Sequence, residues 1–365
     1  MKLHIWAPAF TGFGGGITVF SRELALGLKE QGHDVRLFGK HDHSGSWPGF
    51  QLWGAGHYAT SLKTPRFAAG GFSSAVRHRP DHILSTHVNF GPAAHVVKRV
   101  VGTPFSLVAH GVDIHPRLPR RTIASLRAAD RIFAVSRWTR ERVLALGGID
   151  PARILILPNT MDESRFAVGP KPEMLAARYG IGPKEKIILS VARLDATERY
   201  KGYDRLVRTL PKLEKECGPF RFVLVGEGED RPRADALAKI LGVERLITLA
   251  GFVADEELAD HYRLADAFVM PSTGEGFGIV FLEAMSCGTP VVAGNVDGSV
   301  DALADGQLGV LVDPENIDAI IAGIKRVLTC DGPPWWFNRA QLHDEVVARF
   351  GRASFRKRLR EFFPT

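Results

Sequence analysis

Apolar runs of strand length alternate with amphipathic stretches of helix length along nearly all of this 365-residue chain, and the alternation starts afresh at Lys186. Strand, helix, strand is the signature of parallel sheet, because parallel neighbours need a crossover and a helix supplies it. In the first half, residues 3–7, 35–38, 82–85, 105–109, 131–135 and 154–157 read as strands. Helical stretches lie near 17–31, 67–78, 92–100, 120–129 and 137–146. In the second half, 187–192, 221–225, 246–250, 267–270, 290–293 and 310–312 read as strands. The two series open alike, Lys2-Leu3-His4-Ile5-Trp6-Ala7 against Lys186-Ile187-Ile188-Leu189-Ser190-Val191.

Between the series lie the turn Pro158-Asn159-Thr160 and the polar stretch Gly169-Pro170-Lys171-Pro172, a composition that marks linkers. The pattern predicts an α/β chain of two Rossmann-like, doubly wound domains facing across a cleft, residues 1–168 and 169–345. A last amphipathic stretch, 339–363, carries Phe350, Phe355 and Phe362 and reads as helical.

Hydrophobic residues at 45% are enough for a real core. With no 18-residue apolar run and no leader pattern, the cytosol is the expected location. Cys217, Cys287 and Cys330 are too scattered for a disulfide framework or a zinc site. The net charge of +7 is uneven: residues 1–165 hold 21 Lys+Arg against 11 Asp+Glu, the remainder 26 against 29. A basic half suggests an anionic partner, a membrane surface or a phosphorylated acceptor, although a solvated Arg-rich surface reads the same way. Nucleic acid is not expected, since no aromatic-basic interleaving or recognition motif is present.

Four constellations stand at predicted strand ends. Gly12-Phe13-Gly14-Gly15-Gly16 follows the first strand and precedes a helix, so its amides can approach an anion. It is not G-x-G-x-x-G, and no acid ends the second strand (Val35-Arg36-Leu37-Phe38-Gly39), which argues against a dinucleotide site. Arg193 ends the first strand of the second half, with Lys201 eight residues on; together they can neutralise a diphosphate. Glu275-Gly276-Phe277-Gly278-Ile279-Val280-Phe281-Leu282-Glu283 runs from a loop into a helix, placing Glu275 to accept hydroxyl donors and Glu283 to hold a diol. His110 follows the strand 105–109. Taken singly, each has a plain structural reading: a tight turn, two surface charges, a solvated helix acid, a satisfied histidine. No Asp-x-Asp occurs, so a metal and other cofactors are not expected at the donor site.

The run from Ala267-Phe268-Val269-Met270-Pro271-Ser272 through Glu275–Glu283 to Cys287-Gly288-Thr289-Pro290-Val291-Val292 resembles the signature of the family-4 retaining glycosyltransferases, including its E-x7-E pair. Gly15-Gly16, Arg193 with Lys201-Gly202, Val135-Ser136 with Arg140-Glu141, and Pro158-Asn159 with Asp162 resemble further landmarks of that family. The resemblance implies a GT-B fold, with an acceptor domain first, a nucleotide-sugar domain second, and residues 346–365 returning as a helix onto the first domain. It implies that Glu275 and the backbone of Phe277, Gly278, Ile279 and Val280 hold the transferred sugar, and that Glu283 holds the ribose. Arg193 and Lys201 would neutralise the diphosphate, with Gly15 and Gly16 approaching it. His110 would face the reacting sugar, and Gly251-Phe252-Val253 would meet the base. His110, Glu275, Arg193 and Lys201 are thus the expected catalytic group.

The implied reaction is metal-independent hexosyl transfer with retention, from a GDP- or UDP-linked donor to a glycan or lipid-linked acceptor, in bacterial cell-surface polysaccharide synthesis. Arg117, Arg120, Arg121 and Arg127 are the residues expected to dock on an anionic membrane at its inner face. A nucleotide-sugar epimerase of the same architecture and a non-catalytic nucleotide-sugar-binding protein are the alternatives. The spacing from Arg193 to Lys201 is longer than in many relatives, and Asn159-Thr160-Met161-Asp162 lacks a glycine often found there.

Overall fold

The computed structural model describes residues 1–12 and 15–364. Its strands in chain order are β1 (Lys2–Ala7), β2 (Asp34–Gly39), β3 (Gly45–Trp47), β4 (Phe50–Gly54), β5 (His82–Ser85), β6 (Phe105–Ala109), β7 (Arg131–Ala134), β8 (Ile154–Ile156), β9 (Lys186–Val191), β10 (Phe220–Val225), β11 (Ile247–Gly251), β12 (Ala267–Met270), β13 (Val291–Gly294) and β14 (Val310–Val312). They form two sheets, ordered β3-β4-β2-β1-β5-β6-β7-β8 and β11-β10-β9-β12-β13-β14. Every pairing is parallel except β3 with β4.

The chain divides into two compact units, 1–160 with 352–365, and 161–351. Each sheet is covered by helices and reverses its winding once. The reversal falls between β1 and β5 in the first unit and between β9 and β12 in the second. Ligands of open α/β sheets sit beyond the carboxyl ends of the strands at such a reversal. Both faces are covered there, so the strands are mostly apolar: all four residues of β5 and of β12 are buried, with His82 and Ser85 the polar members of β5.

Three features differ from the sequence expectations. The short pair β3 and β4 was not anticipated: Gly45-Ser46-Trp47 and Phe50-Gln51-Leu52 are too short and polar to show a clear period. The helix expected from residue 67 starts at Thr60 and runs through Pro65 to His78; a proline in the early turns forfeits only one bond of the ladder.

The unit boundaries fall at 160/161 and 351/352, where composition placed the first at 168/169 and the family resemblance the second at 345/346. Residues 161–168 pack with the second unit: the Phe166 and Tyr262 rings meet at 5.9 Å, and Arg263 Nε donates to the Ala167 carbonyl at 2.8 Å. The last helical stretch is two helices, Arg339–Phe350 and Arg352–Phe362, broken at Gly351, whose extended backbone (φ −66°, ψ 168°) ends the first. Phe350 packs on Phe277 in the second unit. Phe355 packs on Phe20 and Phe362 on Phe133 in the first.

The closing helix is fastened by charge as well as by rings. Arg356 donates to Glu23 at 2.8 Å and to Glu30 at 2.9 Å, and Arg352 pairs with Glu23 at 2.7 Å. Glu23 is buried, so its carboxylate depends on these two guanidinium groups.

Candidate functional site

In the second unit, the loop after β9 and the loop after β12 leave the two strands that flank the reversal. They meet closely. A Cβ on Gly202, whose φ is +78°, would lie 2.3 Å from the Pro271 carbonyl oxygen. Only glycine meets both demands, a left-handed backbone and that approach. The Thr273 N–H donates to the Tyr200 carbonyl at 2.8 Å. This junction brings Arg193, Lys201 and Glu275 to one corner. Lys201 Nζ is 2.8 Å from Glu198, and the Arg193 guanidinium is 3.4 Å from the same carboxylate.

Glu275 is half-buried, and desolvation of its carboxyl raises its pKa; Lys201 opposes the rise, while Asp297 and Glu198 add to it. The position of Glu275 is set by Asp297, a buried acid at the carboxyl end of β13. Asp297 Oδ2 accepts the Glu275 N–H at 2.7 Å and the Ser272 hydroxyl at 2.8 Å, and Oδ1 accepts the Ser299 N–H at 2.9 Å. Asp297 was not singled out from the sequence; its signal was an acid four residues past the end of a predicted strand, in the same kind of loop that follows the strand before Arg193.

Glu283 lies on the helix Ile279–Ser286, whose N-cap Gly278 has φ +89°. A Cβ there would strike the Phe281 ring at 2.4 Å and come within 3.2 Å of Glu275 Cγ. The first amides of that helix, at Ile279 and Val280, have no partner within the helix and are available to an anion or a hydroxyl oxygen. Glu283 is buried and accepts the Tyr262 hydroxyl at 2.8 Å. Burial pushes its pKa up to about 7, against the lowering effects of that hydrogen bond and of Arg165. Arg165, held to Asp255 at 3.2 Å, is a second residue that sequence reading missed; nothing local distinguishes it from other arginines. The neighbours acting on Glu275 and on Glu283 are different sets, so the two acids of the E-x7-E pair have separate surroundings. Phe252 is exposed and Val253 half-buried, just beyond β11 at the edge of the sheet.

A cavity of about 550 Å³ shares Tyr200 and Thr273 with this junction, and Arg199, Arg205 and Arg208 also line it. Arg199 is committed elsewhere: it donates to the buried Asp230 at 3.0 Å, and Arg199 with Tyr203 and Arg233 holds that carboxyl far below the usual carboxylate range.

In the first unit, His110 stands beyond β6, next to the reversal. Its Nε2 lies 2.9 Å from the Thr86 carbonyl, which can only accept, so Nε2 carries the proton and Nδ1 is left as the acceptor. The Phe20 ring meets the imidazole edge-on at 5.3 Å. Burial, assisted by His87, lowers the His110 pKa to about 3, so the ring is neutral at physiological pH.

Its backbone N–H donates to Asp113 at 2.8 Å. Asp113 is buried, and its Oδ2 has no hydrogen-bond partner among the described residues; desolvation lifts its pKa to about 7. The spacing His110-Gly111-Val112-Asp113 was a readable signal that the sequence reading passed over.

Gly15 caps the helix Gly16–Glu30, and Thr18 N–H returns to the Gly15 carbonyl at 2.9 Å. Phe13 and Gly14 of the same loop lie outside the described residues. The loop before them is held by Asp42, which accepts the Phe10 N–H at 2.7 Å and the Thr11 N–H at 2.9 Å. An acid therefore does follow β2, three residues later than a ribose hook would stand, and it serves as a loop anchor. All four arginines assigned to an anionic surface, Arg117, Arg120, Arg121 and Arg127, are exposed. Arg127 also donates to the carbonyls of Gly147 and Leu146 at 3.0 and 3.1 Å and ties down the turn after the helix Arg137–Leu144. Among the described residues, no cluster of three or more His, Cys, Asp or Glu could hold a metal ion, and no helix is long and apolar enough to cross a membrane.

Residues 173–341 match the family model described as glycosyl transferases group 1, and residues 15–160 match the glycosyl transferase 4-like domain. The chain is 30% identical over 340 residues to a D-inositol 3-phosphate glycosyltransferase of Kineococcus radiotolerans, covering 82% of this chain and 77% of that one. The fold is similar to that of sucrose-phosphate synthase from Thermosynechococcus elongatus, with a TM-score of 0.81 and 22% identity over 99% of this chain and 98% of the other. It is also similar to Anabaena HepE in complex with UDP-glucose, with a TM-score of 0.78 and 18% identity over 99% of both chains.

Proposed function

This chain belongs to the group 1 glycosyltransferases and has the GT-B fold, and from that premise we propose that it is a retaining, metal-independent hexosyltransferase using a nucleoside-diphosphate sugar. One observation carries the reading: the loops from the two strands at the reversal of the second sheet bring Arg193, Lys201 and Glu275 to a single corner, beside the helix start at Gly278. Two cations at a strand end match a diphosphate, and an acid beside them matches the hydroxyls of a sugar.

In this reading Arg193 and Lys201 neutralise the charge that develops on the diphosphate as the bond from the anomeric carbon to its oxygen breaks. The acceptor hydroxyl attacks from the same face, and its proton passes to the departing phosphate oxygen, so configuration is retained and no protein nucleophile is required. Glu275 and the amides of Phe277–Val280 grip the hexose. Glu283 takes the ribose diol in place of the Tyr262 hydroxyl, and the backbone at Phe252 and Val253 meets the base. The first unit carries the acceptor, with the neutral His110 offering a lone pair or a ring face and not a positive charge.

The UDP-glucose complex of HepE supports a uridine donor, with GDP as the other candidate. The naming of a bacterial relative for D-inositol 3-phosphate supports a polyol, glycan or lipid-linked acceptor of the cell surface. The exposed Arg117, Arg120 and Arg121 support a peripheral contact with an anionic membrane on its inner face.

The test is a panel of UDP- and GDP-hexoses, with and without candidate acceptors, read as nucleoside diphosphate release in the presence of a chelator. One donor class is expected to give acceptor-dependent release that EDTA leaves intact, with product of unchanged anomeric configuration. Tight nucleotide-sugar binding with no release from any donor-acceptor pair would leave a binding protein instead.

A further inference from the structure

The loop that leaves β9 carries Glu198, a charged group that the reading above does not use. Glu198 is largely buried and spans the two cations with its two oxygens, Oε2 at 2.8 Å from Lys201 Nζ and Oε1 at 3.4 Å from Arg193 Nη1. A bidentate carboxylate between two cations satisfies them as two non-bridging oxygens of a diphosphate would.

The charge inventory of the corner makes the point stronger. Glu275, Glu198, Arg193 and Asp297 all act on Tyr200, and Lys201 acts on Glu275, so this corner holds two cations with three acids, which do not form an anion trap. Burial raises the pKa of Glu275 and of Asp297, and Glu198 by itself cancels half of the charge of the two cations it spans. The backbone is suited to letting it go. Glu198 alone departs from helical geometry (φ −110°, ψ 18°) within the turn Ala196–Lys201, which is anchored at one end by Asp195 capping the Thr197 N–H at 2.8 Å and at the other by Gly202. Its side chain can rotate away while the segment carrying the two cations stays in place.

We propose that Glu198 is an internal counter-ion for Arg193 and Lys201, displaced by the diphosphate of the donor, and that it sets how tightly this site holds any nucleoside diphosphate. The inference rests on the reading that those two cations bind the diphosphate. Because Glu198 opposes the diphosphate and not the base, it weakens UDP and GDP alike. It also returns to the cations when product leaves, which favours release.

The experiment is calorimetric binding of UDP, GDP and uridine to the full-length wild type, Glu198→Gln, Glu198→Ala and Lys201→Ala at fixed ionic strength. Both Glu198 variants are expected to bind the preferred nucleoside diphosphate about tenfold more tightly, the size expected when one partly buried opposing charge is removed. Uridine affinity should stay unchanged, and Lys201→Ala should bind the diphosphate at least about tenfold more weakly. If Lys201→Ala weakens binding while both Glu198 variants bind equally or less tightly, Glu198 only positions the cations and the counter-ion role is overturned. If Lys201→Ala leaves diphosphate binding untouched, the diphosphate assignment itself falls. The melting temperatures of the four proteins separate a folding defect in any one variant from these outcomes.

Discussion

The two units differ in charge and in what they bury. The first holds 25 Lys+Arg against 10 Asp+Glu once 352–365 is counted with it; the second holds 22 against 30. Yet the cation pair proposed to meet a diphosphate stands in the acidic unit, and the residue proposed to face the sugar from the basic unit is a neutral histidine. Net charge describes a surface, whereas a site is decided by the few groups that the fold removes from water.

The buried titratable groups differ in kind as well. In the first unit His4, His82, His87 and His110 are held uncharged, with pKa values lowered to about 4, 4, 4 and 3. In the second, Glu275, Glu283 and Asp297 are pushed upward, with Asp113 in the first unit and His261 in the second running against this division. The scarce acids of the first unit act mostly as fasteners: Glu23 for the closing helix, Asp42 for the loop at Phe10, and Asp130 for Lys98 and the Phe105 amide.

The strongest way to break this comparison is Glu23→Ala. If the acids of the basic unit are fasteners, leaving the buried Arg356 with only the exposed Glu30 should cost about 3 kcal/mol of unfolding free energy, read by denaturant titration, and should release 352–365 to proteolysis. A loss under about 1 kcal/mol would mean that the ring contacts of Phe355 and Phe362 hold the helix alone.

Next in size is a kinetic contrast. Lys201→Ala should lower kcat/KM by about 10²–10³, as removal of one charge-stabilising donor does, and should weaken nucleoside diphosphate binding. His110→Ala should lower kcat about tenfold or more while leaving that binding constant as it is. Equal damage to nucleotide binding by both variants would remove the division of labour between the units.

The smallest effect concerns pH, and the buried histidines of the first unit and the buried Glu283 of the second should respond in opposite directions. An imidazole with pKa about 4 in the fold and 6.5 in the unfolded chain gives stability that is present above pH 6.5 and lost as pH falls toward 4, about 2 kcal/mol each by pH 5. A carboxyl raised from 4.5 to about 7, as for Glu283, gives the reverse. Its share of stability is present below pH 4.5 and is lost as pH rises through 7. His82→Gln should flatten the acid limb of the stability curve and Glu283→Gln the neutral limb. Parallel responses would show that burial does not sort the two kinds of group as described.

The legible part of this molecule was what repeats or lies close in sequence. Alternating runs located twelve of the fourteen strands, because a strand buried on both faces must be apolar along its length. The positions of Arg193, Glu275 and His110 followed from strand ends in the same way. Glu198, Asp113 and Asp297 were passed over although each lies within a few residues of a strand end, because an acid in a loop shows its meaning only through its partners.

The sequence by itself carried the two parallel sheets, through its apolar period, and the family, through the resemblance of the run 267–292. Tertiary structure decided the rest: that Gly351 divides the closing helix between the units, that Arg165 comes to act on Glu283, and that one carboxylate spans the two cations. Such contacts depend on side chains of distant segments sharing a few ångströms of desolvated space, and no local pattern in the chain encodes that distance.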